Sequence, residues 1–238
     1  MEPDLGWTFE QYRTYERLRA AQCEEEQHEA SATGLVTDPK TAPHGGYRVG
    51  CTWPREVTAP ASELSSRLAA LLPGTPAYPY DSLQSSIGNL RPAEDRLIDP
   101  DGIAEDRLVL DKLCEAVEKA LKETATDRQR CETAFDRGYL ARRMAYVFGR
   151  PEAGYWQLQQ AVHAESSHVG VELVNGWGPH LTLTRFGQTA GPDMAVKTIE
   201  LLAAWQPVSV APEAIVVGFY TVGDGSFSVT AHESFPVG

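Results

Sequence analysis

Two short segments carry the residues best suited to chemistry: Leu83-Gln84-Ser85-Ser86-Ile87 and Pro179-His180-Leu181-Thr182-Leu183-Thr184. In each, a residue with a ring or amide nitrogen is followed two positions later by a hydroxyl residue, among aliphatic neighbours. Strand side chains alternate faces, so Gln84 and Ser86 point one way, and His180 and Thr182 point one way. Each segment therefore offers a hydrogen-bonding pair in a single direction. Imidazole ordinarily titrates near neutral pH, which makes His180 a candidate acid or base. The hydroxyls of Ser86 and Thr182 can donate to an oxygen on which negative charge grows. Glutamine matches the hydrogen-bonding reach of histidine, but its amide neither accepts nor releases a proton near pH 7.

Together the two segments resemble the signature of the 2H phosphoesterases, the RNA ligase-like and cyclic phosphodiesterase superfamily, whose two His-x-Ser/Thr-x motifs lie on two central strands. His180-Leu181-Thr182-Leu183 matches in full, preceded by Trp177-Gly178-Pro179 and followed by Arg185-Phe186. Gln84-Ser85-Ser86-Ile87, with Gly88 after it, matches except that Gln84 stands where the family has histidine. The resemblance spans residues 47 to 235. It implies an α+β fold of two similar lobes, each an antiparallel sheet with flanking helices, around a central cleft. It implies catalytic roles for His180, Thr182, Gln84 and Ser86, and neither metal nor cofactor. It also places Tyr220 where the family tends to set an aromatic residue against the bound base or ring. The implied reaction is opening of a cyclic phosphate, a 2'-5' linkage or another nucleotide-derived phosphodiester. One imidazole takes a proton from water while the other gives one to the departing oxygen. Gln84 fits three accounts: an exchange made to trap a ligand, a natural binding protein with one dead half, or a site turned to another reaction with His180 as sole acid or base.

Charge narrows the partners. The 238 residues carry a formal net charge of −12, and a surface that repels phosphate has no general grip on long nucleic acid. A small phosphate-containing or nucleotide-like ligand is the expected partner, with no extended nucleic acid, no membrane and a monomeric chain. No stretch approaches the roughly twenty apolar residues of a membrane span, and Met1-Glu2-Pro3-Asp4 lacks a basic start, so a cytoplasmic location is expected. Cys23, Cys51, Cys114 and Cys131 are scattered without a CxxC pair and are expected to be reduced bystanders. The Cys23-Glu24-Glu25-Glu26 run reads as a solvated helix face rather than a metal site.

The elements that must position the motifs follow from pattern. Residues 8–30 read as a polar helix and 31–46 as a loop, giving an N-terminal extension (1–46) before the two-lobed domain (47–238). Tyr47, Val49 and Cys51 alternate as in a strand. Pro60 opens a helix with Leu64, Leu68, Leu71 and Leu72 on one face, closed by Pro73-Gly74. The strand bearing Gln84 follows, then the turn Asp99-Pro100-Asp101-Gly102 and a helix with Leu110, Leu113, Val117 and Leu121 at helical spacing. Residues 122–150 hold Arg128, Arg130, Arg137, Arg142 and Arg143, with Ala145-Tyr146-Val147-Phe148 as a candidate strand. A helix through Tyr155, Leu158 and Val162 leads to the His180 strand. Another starts at Asp193, with Ala195, Ile199 and Leu202 on one face. Residues 214–220 and 226–230 form a hairpin about Gly223-Asp224-Gly225. His163 and His168 are expected at the surface, the alternative being that one of them turns inward and replaces the missing acid or base. Arg185 is expected to alternate to the face opposite His180 and to make a structural ion pair. The modest stripe Phe9, Tyr12, Tyr15, Leu18 either docks a partner or packs on the domain itself.

Overall fold

In the computed structural model, the residues described are 7–37, 43–92, 96–124, 131–175, 178–223 and 226–237. Arg128, Arg130, Trp177 and the Asp224-Gly225 tip of the expected hairpin turn lie outside them. In chain order the elements are α1 (Phe9–Thr33), β1 (His44–Thr52), α2 (Arg55–Leu71), β2 (Gln84–Leu90), α3 (Ala104–Glu123), β3 (Thr133–Leu140), β4 (Met144–Pro151), α4 (Ala153–His168), β5 (Val174–Asn175), β6 (His180–Arg185), α5 (Pro192–Leu202), β7 (Val208–Val210), β8 (Ala214–Gly223) and β9 (Ser226–Pro236).

Two antiparallel sheets result, one ordered β5-β2-β1-β8-β9 and the other β6-β4-β3-β7. The expected α+β architecture of two lobes is thus present. Each motif strand pairs with the strand that leads into the preceding helix, β2 with β1 before α2 and β6 with β4 before α4. The helices cross over: α3 and α4 pack together behind the first sheet, while α2 and α5 pack behind the second. Helices exchanged in this way bind the halves into one core, where Val49, Cys51, Val217, Leu110, Leu113, Val117 and Val162 join Leu64, Leu68, Val147, Leu181 and Ala195. The non-directional gain from burying this apolar surface supplies most of the drive to fold.

Helix α2 and strand β3 depart from the sequence reading. Helix α2 begins at Arg55, and Pro60 lies inside it. The buried row Val57, Ala61, Leu64, Leu68 extends one turn further back than the leucines alone suggest, and packing along that row carries the helix through a proline that would otherwise break it. Strand β3 went unread because arginines and acids interrupt its apolar alternation. The arginines have partners on α1: Arg137 pairs with Glu24 at 2.9 Å, and Arg142, just beyond the strand, pairs with Glu29 at 3.0 Å. The acidic run and part of the basic cluster are therefore two sides of one contact.

Helix α1 docks on the second lobe. Thr8 and Gln11 form a capping box at its start. Tyr12 stacks on Trp156 of α4 with ring centroids 4.3 Å apart, and Tyr15 is buried while Leu18 is exposed. The aromatic part of the stripe thus packs on the domain.

Candidate active site

The two motifs occupy matching positions in their sheets. In β2, Gln84 and Ser86 are half-buried and the residues between and beyond them, Ser85 and Ile87, are buried. In β6, His180 and Thr182 are half-buried and Leu181 and Leu183 are buried. The likeness goes further than alternation. Register against β1 runs Thr52↔Gln84, Gly50↔Ser86, Val49↔Gly88, so Ile87 is an extra residue directly after the hydroxyl. Register against β4 runs Phe148↔His180, Tyr146↔Thr182, Ala145↔Thr184, so Leu183 is the extra residue at the same place. Each motif therefore ends in a β-bulge, a device that re-aims side chains next to functional sites.

The bulges change which residues share the motif-bearing face of each sheet. After a bulge the alternation slips by one, so Arg185, opposite Met144, returns to the face of His180 and Thr182. The expectation that Arg185 points away is overturned, because it assumed unbroken alternation. Asn89, opposite Arg48, likewise returns to the face of Ser86, and the Ser86 hydroxyl reaches its Oδ1 at 3.5 Å.

Ser85 ties the two motifs together. Its Oγ accepts a hydrogen bond from Trp53 Nε1 at 2.8 Å and donates one to the backbone oxygen of His180 at 2.9 Å. A residue with no catalytic character in the sequence thus sets the approach of the two motif strands.

His180 is held by its neighbour's backbone. Its Nδ1 lies 3.0 Å from the oxygen of Gly178, and a carbonyl can only accept, so Nδ1 carries the proton and Nε2 carries the lone pair. Gly178 adopts φ 92°, a conformation that penalises any side chain, and Tyr12 Oη sits where a Cβ would be. Helix α1 thereby buttresses the loop that fixes the ring. Tyr146 meets His180 edge to face, with centroids 6.3 Å apart, and Cys23 of α1 bonds the Tyr146 hydroxyl at 2.8 Å. Burial lowers the His180 pKa to about 4; the Gly178 hydrogen bond opposes this, while the charges of Arg48, Arg185 and Arg19 add to it. The ring is neutral at pH 7 and aims a basic nitrogen, the state a general base requires.

Gln84 stands opposite Thr52, and its Oε1 is buried with no hydrogen-bond partner among the described residues. A buried acceptor left unmade costs about 1–3 kcal/mol, so the site is poised to receive a donor there. Tyr220 is buried, pairs with Gly46 and lays its ring over that glycine. It lies beside Arg48, on the same face of the first sheet as Gln84 and Ser86.

His163 is buried rather than exposed, correcting the surface expectation. It projects from α4 to the back of β2, where Nε2 meets the oxygen of Ile87, the bulge residue, at 3.0 Å. The apolar spacing of α4 hid this, because its buried face is wider than the apolar row and takes in Gln159 and His163 beside Tyr155 and Val162. His168 is exposed and pairs with Glu165 at 3.2 Å.

The cysteines Cys23, Cys51, Cys114 and Cys131 form no disulfide. Among the described residues no group of three or more His, Cys, Asp or Glu could hold a metal ion, and no helix is long and apolar enough to cross a membrane. A cavity of about 450 Å³ along the outer N-terminal part of α1, lined by Trp7, Gln11, Tyr15 and Leu18 among others, includes none of the motif residues.

No protein-family model matches the chain, and comparison with curated proteins gives no match. Solved structures similar to it include TT0787 of Thermus thermophilus, at 18% identity and TM-score 0.48, covering 81% of this chain and 97% of that one. LigT of E. coli complexed with NADP+ is similar at 18% identity and TM-score 0.44, covering 83% and 99%. The MHV ns2 PDE domain is similar at 12% identity and TM-score 0.40, covering 81% and 99%.

Proposed function

We propose that the cleft binds a small phosphate ester derived from a nucleotide and cleaves a cyclic phosphate or 2'-5' phosphodiester by single-base catalysis. The observation that carries this reading is the pair of half-buried dyads, Gln84/Ser86 and His180/Thr182, held together through the Ser85 bridge to His180. On this reading His180 Nε2 takes a proton from the attacking water as its oxygen bonds to phosphorus. The Ser86 and Thr182 hydroxyls donate to the nonbridging oxygens as charge grows there, and Tyr220 contributes an aromatic surface for a base or ring. As the bond from phosphorus to the departing oxygen breaks, that oxygen must collect its proton from water or from the ligand, since Gln84 has none to give. Losing one acid-base partner costs about 100- to 10,000-fold in rate, so the reading makes this protein a slow catalyst.

One observation favours a second reading, a binding protein or an enzyme of another reaction. The unpartnered Gln84 Oε1 suits a ligand hydroxyl or amide N–H better than a departing alkoxide. The test is a panel of 2',3'-cyclic and 2'-5'-linked nucleotides assayed with and without chelator, with His180→Ala as the blank. Turnover lost in the blank supports the phosphodiesterase. Ligand-induced thermal protection that needs His180, with no turnover by any substrate, replaces it with the second reading.

A further inference from the structure

Arg48 was not apparent as a site residue in the sequence, where it reads as one polar position in the alternation of β1. The structure turns it onto the face of the first sheet that carries the motif. Arg48 pairs with Asn89 on one side and Gly218 on the other, and Gly50, the next residue on that face, pairs with Ser86. Gly50 leaves room for the side chain: a Cβ there would stand 3.0 Å from Arg48 Nε and 3.4 Å from Arg48 Nη2. The guanidinium therefore lies over Gly50, one strand spacing from Ser86. At 4% exposure it is an unusual place for an arginine. Tyr220 lies beside it, and its charge reaches His180 across the cleft.

We infer that Arg48 is the fixed buried cation that draws the ligand's anionic group toward Ser86 and Thr182, acting through the field it sets at His180 and in the cleft. It is a positioning residue. The inference deepens the phosphate-ester reading and rests on it. Burial strengthens such a charge because little water screens it. It also explains how a chain of net charge −12 presents an anion with a positive locus. The groups facing His180 are Arg48 from β1, Arg185 from β6, Arg19 from α1 and the neutral Tyr146 from β4. Burial lowers the Arg48 pKa only to about 10, so the charge persists at neutral pH.

The test uses the full chain, inorganic phosphate as the probe and the imidazole C2 proton of His180, assigned with His180→Ala, as the reporter. Arg48→Met is expected to weaken phosphate binding on the order of 10- to 100-fold and to move the His180 titration up from about 4 by the part its charge adds to burial. Arg48→Lys, which keeps the charge, is expected to retain most of both. A folded Arg48→Met with unchanged phosphate affinity and unchanged His180 titration overturns the inference. Should that variant not fold, polar replacements decide. There Arg48→Lys against Arg48→Gln is read by phosphate affinity: retention in the lysine variant with loss in the glutamine variant upholds the inference, and equal affinity in both overturns it. Neither readout needs turnover, so failure of every cyclic substrate would remove the phosphodiesterase reading while leaving Arg48 to be judged on its own.

Discussion

At the scale of single residues, His180 and Gln84 differ in what they can do with a proton. With its pKa near 4, His180 is unprotonated across the neutral range, so kcat/KM should show no acid limb near 6.5 and fall only toward pH 4. A profile that drops through 6.5 would contradict the environment described for it. The same depression has a stability counterpart: the unfolded chain binds the proton first, so the contribution of His180 is complete above about 6.5 and is lost as pH falls toward 4. Removing either hydroxyl, by Thr182→Val or Ser86→Ala, should lower kcat about 100-fold with little change in Tm, since each side chain is half-buried and in the proposed reaction donates to the nonbridging oxygens. Gln84, Ser86, His180 and Thr182 were legible because residue type and a spacing of two suffice to find them. Arg48, Ser85 and His163 were not, because what marks them is register and burial, which no local pattern encodes.

At the scale of elements, the bulges at Ile87 and Leu183 and the docking of α1 decide which side chains meet. The bulges were illegible in the sequence, as both fall in unremarkable aliphatic runs, and Arg185 was assigned to the wrong face for that reason. Helix α1 was legible as a helix, but not its place across the sheet face that bears His180. Its Glu16 lies 3% exposed beside Arg13, and burial pushes its pKa up to about 7 against that arginine and Arg150. A carboxyl raised in the folded state stabilises fully below its ordinary range, and that contribution is lost as pH rises through about 7. Glu16→Gln should therefore raise Tm by a few degrees at pH 8 and leave it nearly unchanged at pH 4.5, read by thermal melts at the two values. Equal effects at both would place the carboxyl in a more solvated setting than the one observed.

At the scale of the whole molecule, two halves of like order are locked by exchanged helices and by the contact of their motif strands. The duplication was legible from the recurrence of strand, helix and motif strand, whereas the helix exchange was not, because short connections suit packing on either sheet. Ser85 is the polar part of the lock. Ser85→Ala leaves Trp53 Nε1 and the His180 oxygen without their shared partner, so it should cost about 1–3 kcal/mol and weaken activity through strand spacing rather than chemistry. The account as a whole turns on one exchange. On 2',3'-cyclic nucleotides, with chelator present, kcat/KM of Gln84→His should exceed that of the unaltered protein by about 100-fold or more, and the gain should vanish in Gln84→His combined with His180→Ala. A folded Gln84→His with no gain on any substrate in the panel would contradict the claim that the two motif faces form one phosphodiester site.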